Sequence, residues 1–135
     1  MSKIAVVGLS NLFPGSKTPE QFWQNLLDKK DSRTRVTLDK LGAEPERFTG
    51  KKGDNDKFYC VNGGYIEDFD FDANGYAIPA QQLSELDDFY QWALHVCQTA
   101  LKQAGYLDKQ DILKKCGVIL GTLSFPTQKS NELFV

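Results

Sequence analysis

The sequence has one histidine, and its three cysteines, Cys60, Cys97 and Cys116, include no C-x-x-C pair. A lone histidine gives no two-histidine centre, and thiols this scattered do not make a zinc knuckle. An odd, unclustered set fits reduced thiols in a cytosolic chain rather than a secreted disulfide framework. Charge of one sign is missing too. Sixteen Lys and Arg face eighteen Asp and Glu, a formal charge of −2, so no basic field exists to hold nucleic acid or an anionic membrane. No apolar run approaches the ~20 residues of a membrane span, and Met1-Ser2-Lys3 leads into a strand-like segment without signal-peptide architecture. A cytoplasmic location is expected. What is present, 135 residues with 41% hydrophobic and 25% charged, is the size and balance of one globular domain rather than a disordered chain.

Ile4-Ala5-Val6-Val7-Gly8-Leu9 is continuously apolar and rich in β-branched residues, the pattern of a strand covered on both faces. Cys116-Gly117-Val118-Ile119-Leu120-Gly121 repeats it. Between them, Thr18-Pro19-Glu20-Gln21 supplies a capping hydroxyl, a proline at the first helical position and a glutamine three residues past the cap. The helix starting there carries Phe22, Trp23, Leu26 and Leu27 on one face, expected to pack on the sheet. A longer helix is expected from Asp87 or Asp88 to Ala104, with Asp88 and Gln91 placed to cap it and Gly105 to end it in the left-handed conformation. Residues 31–56, with Gly42, Pro45, Gly50 and Gly53 among mixed charges, read as an irregular surface excursion. Phe58 to Phe71 reads as short extended pieces around a tight turn at Gly63-Gly64, and Pro126 to Asn131 as the opening of a further helix. Alternating strands and helices predict an α/β layered fold.

Several motifs imitate chemistry that their spacing denies. Gly8 to Thr18 resembles a phosphate-binding loop, but six residues separate Gly8 from Gly15 and Ser16 intrudes before Lys17, so the lysine is out of register. Asp70-Phe71-Asp72-Ala73-Asn74-Gly75 with Gln81 imitates a calcium loop. Gln81 cannot give the bidentate carboxylate and Pro79 stiffens the loop's back half, so an acidic turn bonding its own backbone is expected. His95 and Cys97, two apart on a helix, point in different directions, and zinc would need Cys60 and Cys116 to converge on them. Three buried thiols and a half-buried histidine beside Trp92 are the expectation. The aromatics Trp23, Phe69, Phe71, Phe89 and Trp92 sit where packing already places them, so no cofactor box is implied.

Ile4 to Gly15, followed by Thr18-Pro19-Glu20-Gln21-Phe22-Trp23-Gln24-Asn25-Leu26-Leu27, resembles the start of a β-ketoacyl synthase domain of multidomain polyketide and fatty-acid synthases. Asp56-Lys57-Phe58-Tyr59-Cys60 and Gly63-Gly64-Tyr65-Ile66-Glu67-Asp68-Phe69-Asp70-Phe71-Asp72 continue the order with the family's double glycine and acidic-aromatic stretch. Ala100 to Tyr106 is similar to the family's helix end, and Cys116 to Gly121 to its following strand. Asn11 and the Phe71 to Gly75 segment most resemble ketosynthase subunits of bacterial polyunsaturated fatty-acid synthases. Where ordinary members carry Met-Asp-Pro-Gln-Gln-Arg, this chain has Leu86-Asp87-Asp88-Phe89-Tyr90-Gln91: the aspartate stays, the proline and arginine are gone.

The resemblance implies the N-terminal portion, residues 1–135, of a thiolase-like α/β fold that is completed elsewhere and forms a homodimer or heterodimer. It also implies an acyltransferase that condenses an acyl chain with a malonyl unit on acyl carrier protein. No cofactor beyond carrier-bound phosphopantetheine is expected. The family's cysteine nucleophile and two histidines lie C-terminal to the matched region, and Cys60, Cys97, Cys116 and His95 are not in their motifs. No catalytic, cofactor or metal residue is therefore assigned, and the segment by itself is expected to be inactive. Two alternatives stay open: a chain-length-factor-like partner that shares the fold without the nucleophile, and a stand-alone interaction module. The open apolar strands predict that the isolated segment does not unfold cooperatively.

Overall fold

The computed structural model describes residues 3–122 together with Thr127 and Lys129. The chain divides into two compact units, one comprising Met1–Ser10 and Asp70–Val135, the other Asn11–Phe69.

In the Asn11–Phe69 unit, Phe13 and Ser16 exchange backbone hydrogen bonds of 2.8 and 2.9 Å across Pro14-Gly15. Proline fixes φ at the first corner and Gly15, at φ +69°, takes the left-handed second one. Ser16 is buried, and its hydroxyl donates to the Thr18 carbonyl at 3.0 Å and accepts from Asn11 Nδ2 at 3.1 Å. Thr18 then caps α1 (Pro19–Leu27): its hydroxyl accepts the Gln21 N–H at 3.2 Å, while the Gln21 side chain accepts the Lys17 N–H at 2.7 Å. Phe22 meets Phe13 edge-on with ring centroids 4.9 Å apart. Trp23, Leu26 and Leu27 remain exposed. The expected packing of this face on a sheet is not present among the described residues, because no strand runs beneath it.

The excursion is more ordered than its composition suggests. It opens with β1 (Thr34–Arg35), which pairs antiparallel with β2 (Asn62–Gly63), Thr34 opposite Gly63 and Arg35 opposite Asn62. The Val36 N–H continues the ribbon to the Val61 carbonyl at 2.8 Å. Next come α2 (Leu38–Leu41), closed by Gly42 at φ +74°, and a 3-10 turn at Pro45–Arg47. Leu12, Val36 and Pro45 are the buried apolar residues of this unit. Gly63-Gly64 is not a left-handed turn: neither glycine has positive φ. A β-carbon on Gly64 would sit 3.0 Å from Pro14 Cγ, so close approach, not backbone conformation, explains a glycine there.

In the other unit, the two expected buried strands are unpaired among the described residues, with Ile4 at 95% and Ile119 at 97% exposure. A strand exists through the ladder hydrogen bonds of a neighbouring strand, and these β-branched runs have no such ladder among the described residues. Leu83, on α3 (Ala80–Ser84), is fully buried. α4 (Asp88–Gln103) has Asp87 at its N-cap, and neither Asp87 nor Asp88 caps it by a side-chain bond, contrary to expectation. Its C-terminus follows the expected pattern: Gly105 takes φ +72°, its N–H reaches the Lys102 carbonyl at 3.1 Å, and the Tyr106 N–H reaches the Leu101 carbonyl at 2.9 Å. α5 (Gln110–Leu113) follows. The helix expected over Pro126 to Asn131 lies outside the described residues, apart from Thr127 and Lys129.

Candidate functional site

None of the candidates weighed from sequence assembles into a nucleophilic centre. His95 sits half-buried on α4, where burial pushes its imidazole below the ordinary value. The expectation of three buried thiols is corrected: Cys60, Cys97 and Cys116 are all free and exposed. The Cys116 thiol donates to the Ile112 carbonyl at 3.4 Å, a local contact one helical turn back. Periodicity places Cys97 on α4, but α4 buries none of its residues completely, so the solvated face holds the thiol. Tyr76 packs on Phe71 with centroids 5.5 Å apart, and burial raises its phenol pKa, the wrong direction for a base at neutral pH.

The calcium-like loop behaves as a turn. Asp72 Oδ1 accepts the Asn74 backbone N–H at 3.0 Å and its side-chain amide at 2.6 Å, which together hold the carboxyl below its ordinary value, and Gly75 takes φ +82°. No group of three or more His, Cys, Asp or Glu able to hold a metal ion occurs among the described residues. The phosphate-loop imitation likewise uses its polar groups internally, since Ser16 and Thr18 bond within the turn and cap α1.

A cleft of about 400 Å³ lies in the Asn11–Phe69 unit, between the Phe13 to Lys17 turn, Lys30 to Thr34 and Tyr65 to Asp68. Two of its three carboxylates, Asp31 and Glu67, are engaged. Asp31 is held at about 2, first by the Arg33 side chain and then by the Arg33 backbone N–H, with a guanidinium contact of 2.7 Å. Glu67 accepts the Thr34 hydroxyl at 3.0 Å, and Lys17 donates to the Asp68 carbonyl. No histidine or cysteine lines the cleft. It can receive a small polar ligand, but it holds no poised acid, base or nucleophile. Beside it, Phe13, Pro14, Phe22 and Leu26 line a shallower apolar groove of about 410 Å³.

The departure from the six-residue family signature has a structural counterpart. Gln91, where that signature has arginine, donates through Nε2 to the carbonyls of Leu83, Leu86 and Ser84 at 3.1, 3.2 and 3.3 Å, tying α3 to the start of α4. Asp87, the retained acid, accepts the Lys129 N–H at 3.1 Å, and Lys129 Nζ donates to the Glu85 and Leu86 carbonyls at 2.7 and 2.8 Å. Burial works against the Asp87 carboxylate, but the Thr127 hydroxyl and the Lys129 amide outweigh it and lower its pKa. Sequence reading missed this node because it joins residues 42 apart. Retention of Asp87 in a diverged signature was the available signal.

The sequence matches the family described as Beta-ketoacyl synthase, N-terminal domain, over residues 1–134. It is 32% identical over 135 residues to the non-reducing polyketide synthase gsfA of Penicillium aethiopicum, covering 97% of this chain and 7% of that protein. It is 28% identical over 120 residues to one polypeptide of the polyunsaturated fatty acid synthase of Thraustochytrium sp., covering 89% and 4%. Among solved structures, a PfaC keto synthase-chain length factor superposes with a TM-score of 0.90 at 55% identity, over 96% of this chain and 14% of that one. The chain thus spans a small part of the length of these relatives. No helix among the described residues is long and apolar enough to cross a membrane. With the family match running almost end to end and the ketosynthase structure superposing closely, the chain has the N-terminal part of a thiolase-like fold and belongs to the beta-ketoacyl synthase family.

Proposed function

We infer that this chain serves as the N-terminal part of a cytoplasmic β-ketoacyl-acyl carrier protein synthase of polyunsaturated fatty-acid or polyketide synthesis. The observation that carries this reading is the 55% identity, over 96% of the chain, to the structure of a PfaC keto synthase-chain length factor. In the reaction, a cysteine thiolate supplied by the downstream part of the domain attacks the acyl thioester and expels the carrier thiol. Loss of carbon dioxide from a malonyl thioester leaves an enolate, which attacks the enzyme-bound acyl group and returns the thiolate. Preorganised donors, two histidines in this family, stabilise the developing negative charge. The residues described here are scaffold for that chemistry: the capped α1, the Gly8 contact with α4 and the node at Asp87.

The second reading, a chain-length-factor-like partner without the nucleophile, is favoured by the same likeness, because that structure combines a keto synthase with a chain length factor. One experiment separates them. The full-length protein is incubated with acyl-loaded and malonyl-loaded carrier protein, and acyl-enzyme formation and carbon dioxide release are measured. The synthase reading expects both, with a dimeric enzyme and no added cofactor. Absence of acyl-enzyme, with activity restored only by a second ketosynthase polypeptide, favours the partner reading.

A further inference from the structure

The polar cleft and the apolar groove of the Asn11–Phe69 unit share part of their lining: Phe13, Lys30 and Ser32 belong to both. Lys30 Nζ and Ser32 Oγ lie 3.9 and 2.7 Å from the point a β-carbon on Gly15 would occupy, so an ammonium and a hydroxyl converge over a residue without a side chain. Neither is spent. Lys30 makes no salt bridge among the described residues, whose ion pairs are Arg33 with Asp31 and Arg35 with Glu46, and neither side chain has a hydrogen-bond partner among them.

On the groove side of this point the surface is apolar. Phe13, Pro14, Phe22 and Leu26 line about 410 Å³, inside the range of about 300–1,000 Å³ for small-molecule sites. No carboxylate lines the groove, and its other cation, Arg33, is already paired with Asp31. Phe13 meets Phe22 edge-on at 4.9 Å, and Asn25 Nδ2 donates to the Gly15 carbonyl at 2.9 Å, so the turn and α1 are fixed against each other before a ligand arrives. Walls fixed in advance lower the ordering cost of binding.

We propose that this junction binds a monocarboxylate with an apolar chain, its head group on Lys30 and Ser32 and its chain along Phe22 and Leu26. Charge complementarity selects the occupant. One uncommitted cation takes one carboxylate, which accepts from the ammonium and the hydroxyl together, while the apolar wall removes the chain from water. A cationic amphiphile would face Lys30 with no carboxylate in the groove to offset it. The proposal does not depend on the synthase reading, because its readout is occupancy and not turnover.

The test uses the full-length protein that contains this chain and an octanoate analogue with a diazirine at the far end of its chain. Light expels dinitrogen and leaves a carbene that inserts where the tail lies, and mass spectrometry locates the adduct. The expected result is labelling of α1 between Phe22 and Leu26. Octanoate competes for it, and longer carboxylates compete up to about fourfold better per added methylene until the groove is filled. Octylammonium competes about tenfold less well than octanoate. Lys30→Glu, at an unchanged melting temperature, reverses that preference; Lys30→Gln abolishes it and Lys30→Arg keeps it. Leu26→Ser weakens both competitors. Equal competition by octanoate and octylammonium in the native protein, labelling that Lys30→Glu leaves unchanged, labelling only outside α1 and the Phe13 to Gly15 turn, or no labelling would each overturn it.

Discussion

Gly8 passes so close to Ala100 that a β-carbon at position 8 would overlap the Ala100 carbonyl oxygen, and it would stand 3.0 Å from the Ala104 β-carbon. The neighbouring Leu9 N–H donates to Gln103 Oε1 at 2.7 Å, so the N-terminal apolar segment is seated on small residues of α4. Gly8→Val therefore forces either backbone or helix to move. We expect a loss of about 1–3 kcal/mol, the range for overpacking a tight site, read as a lower urea midpoint. Gln103→Ala, which removes only a solvent-accessible acceptor, is expected to cost less.

α1 ends with Lys29 in the left-handed region at φ +54°, its N–H bonded to the Leu26 carbonyl at 3.1 Å and the Lys30 N–H to the Asn25 carbonyl at 2.9 Å. This closure ordinarily uses glycine, so Lys29→Gly should relieve strain without losing a bond. A gain of up to about 1 kcal/mol is expected, the left-handed cost relieved less glycine's extra chain entropy, seen as a raised melting temperature, with Lys29→Ala giving no such gain.

Asp31 is held near 2, against an ordinary 3.8, chiefly by the Arg33 side chain. Because its folded pKa is depressed, whatever the pair contributes is present above pH 4 and disappears as pH falls toward 2. A carboxyl-carbon NMR titration should place the Asp31 inflection near 2 in the native protein and move it up toward, but not to, 3.8 in Arg33→Gln, which keeps the backbone N–H at position 33. Both groups are exposed, so 1 M salt should shrink the shift.

Asp87→Ala removes the acceptor for the Lys129 amide, and the expected readout is faster hydrogen exchange at Lys129 than in the native protein. Asp87→Asn keeps an acceptor oxygen and should restore part of the protection. Acidification should mimic Asp87→Ala, since a group with a lowered folded pKa gives up its contribution as pH drops through that value.

Gln91→Leu removes the donor that the Leu83, Ser84 and Leu86 carbonyls share, at a cost of about 0.5–1.5 kcal/mol, the range for a partly exposed hydrogen bond. Gln91→Arg supplies a guanidinium with more N–H groups and is expected to be tolerated, within about 1 kcal/mol of the native chain by denaturant titration. A large loss in the arginine variant would show that the site is shaped for the amide.

Much of the local structure was legible in the sequence. Thr18, Pro19 and Gln21 announced the start of α1, and Ala104-Gly105-Tyr106 the end of α4, because capping is settled among residues three to five apart. Order within residues 31–56 was not legible: β1 forms only when Thr34 and Arg35 meet Gly63 and Asn62. The expected site content, no assigned catalytic residue, came from motif context rather than from geometry. By contrast, the cleft walls are drawn from segments about fifty residues apart in sequence, which no local pattern reports.

By itself the sequence determined α1 and α4, the N-terminal cap of α1, the C-terminal end of α4 and the family, since each depends on side chains within one or two turns or on the order of motifs along the chain. Tertiary structure decided the rest. It left Cys60, Cys97 and Cys116 in solvent, made Gly64 a site of close approach instead of a turn, joined Asp87 to Lys129, and left Ile4 to Leu9 and Val118 to Leu120 unladdered among the described residues. The physical reason is common to all four. Burial, close contact and strand pairing belong to whichever distant segment arrives as neighbour, and an apolar β-branched run states only that it can be covered.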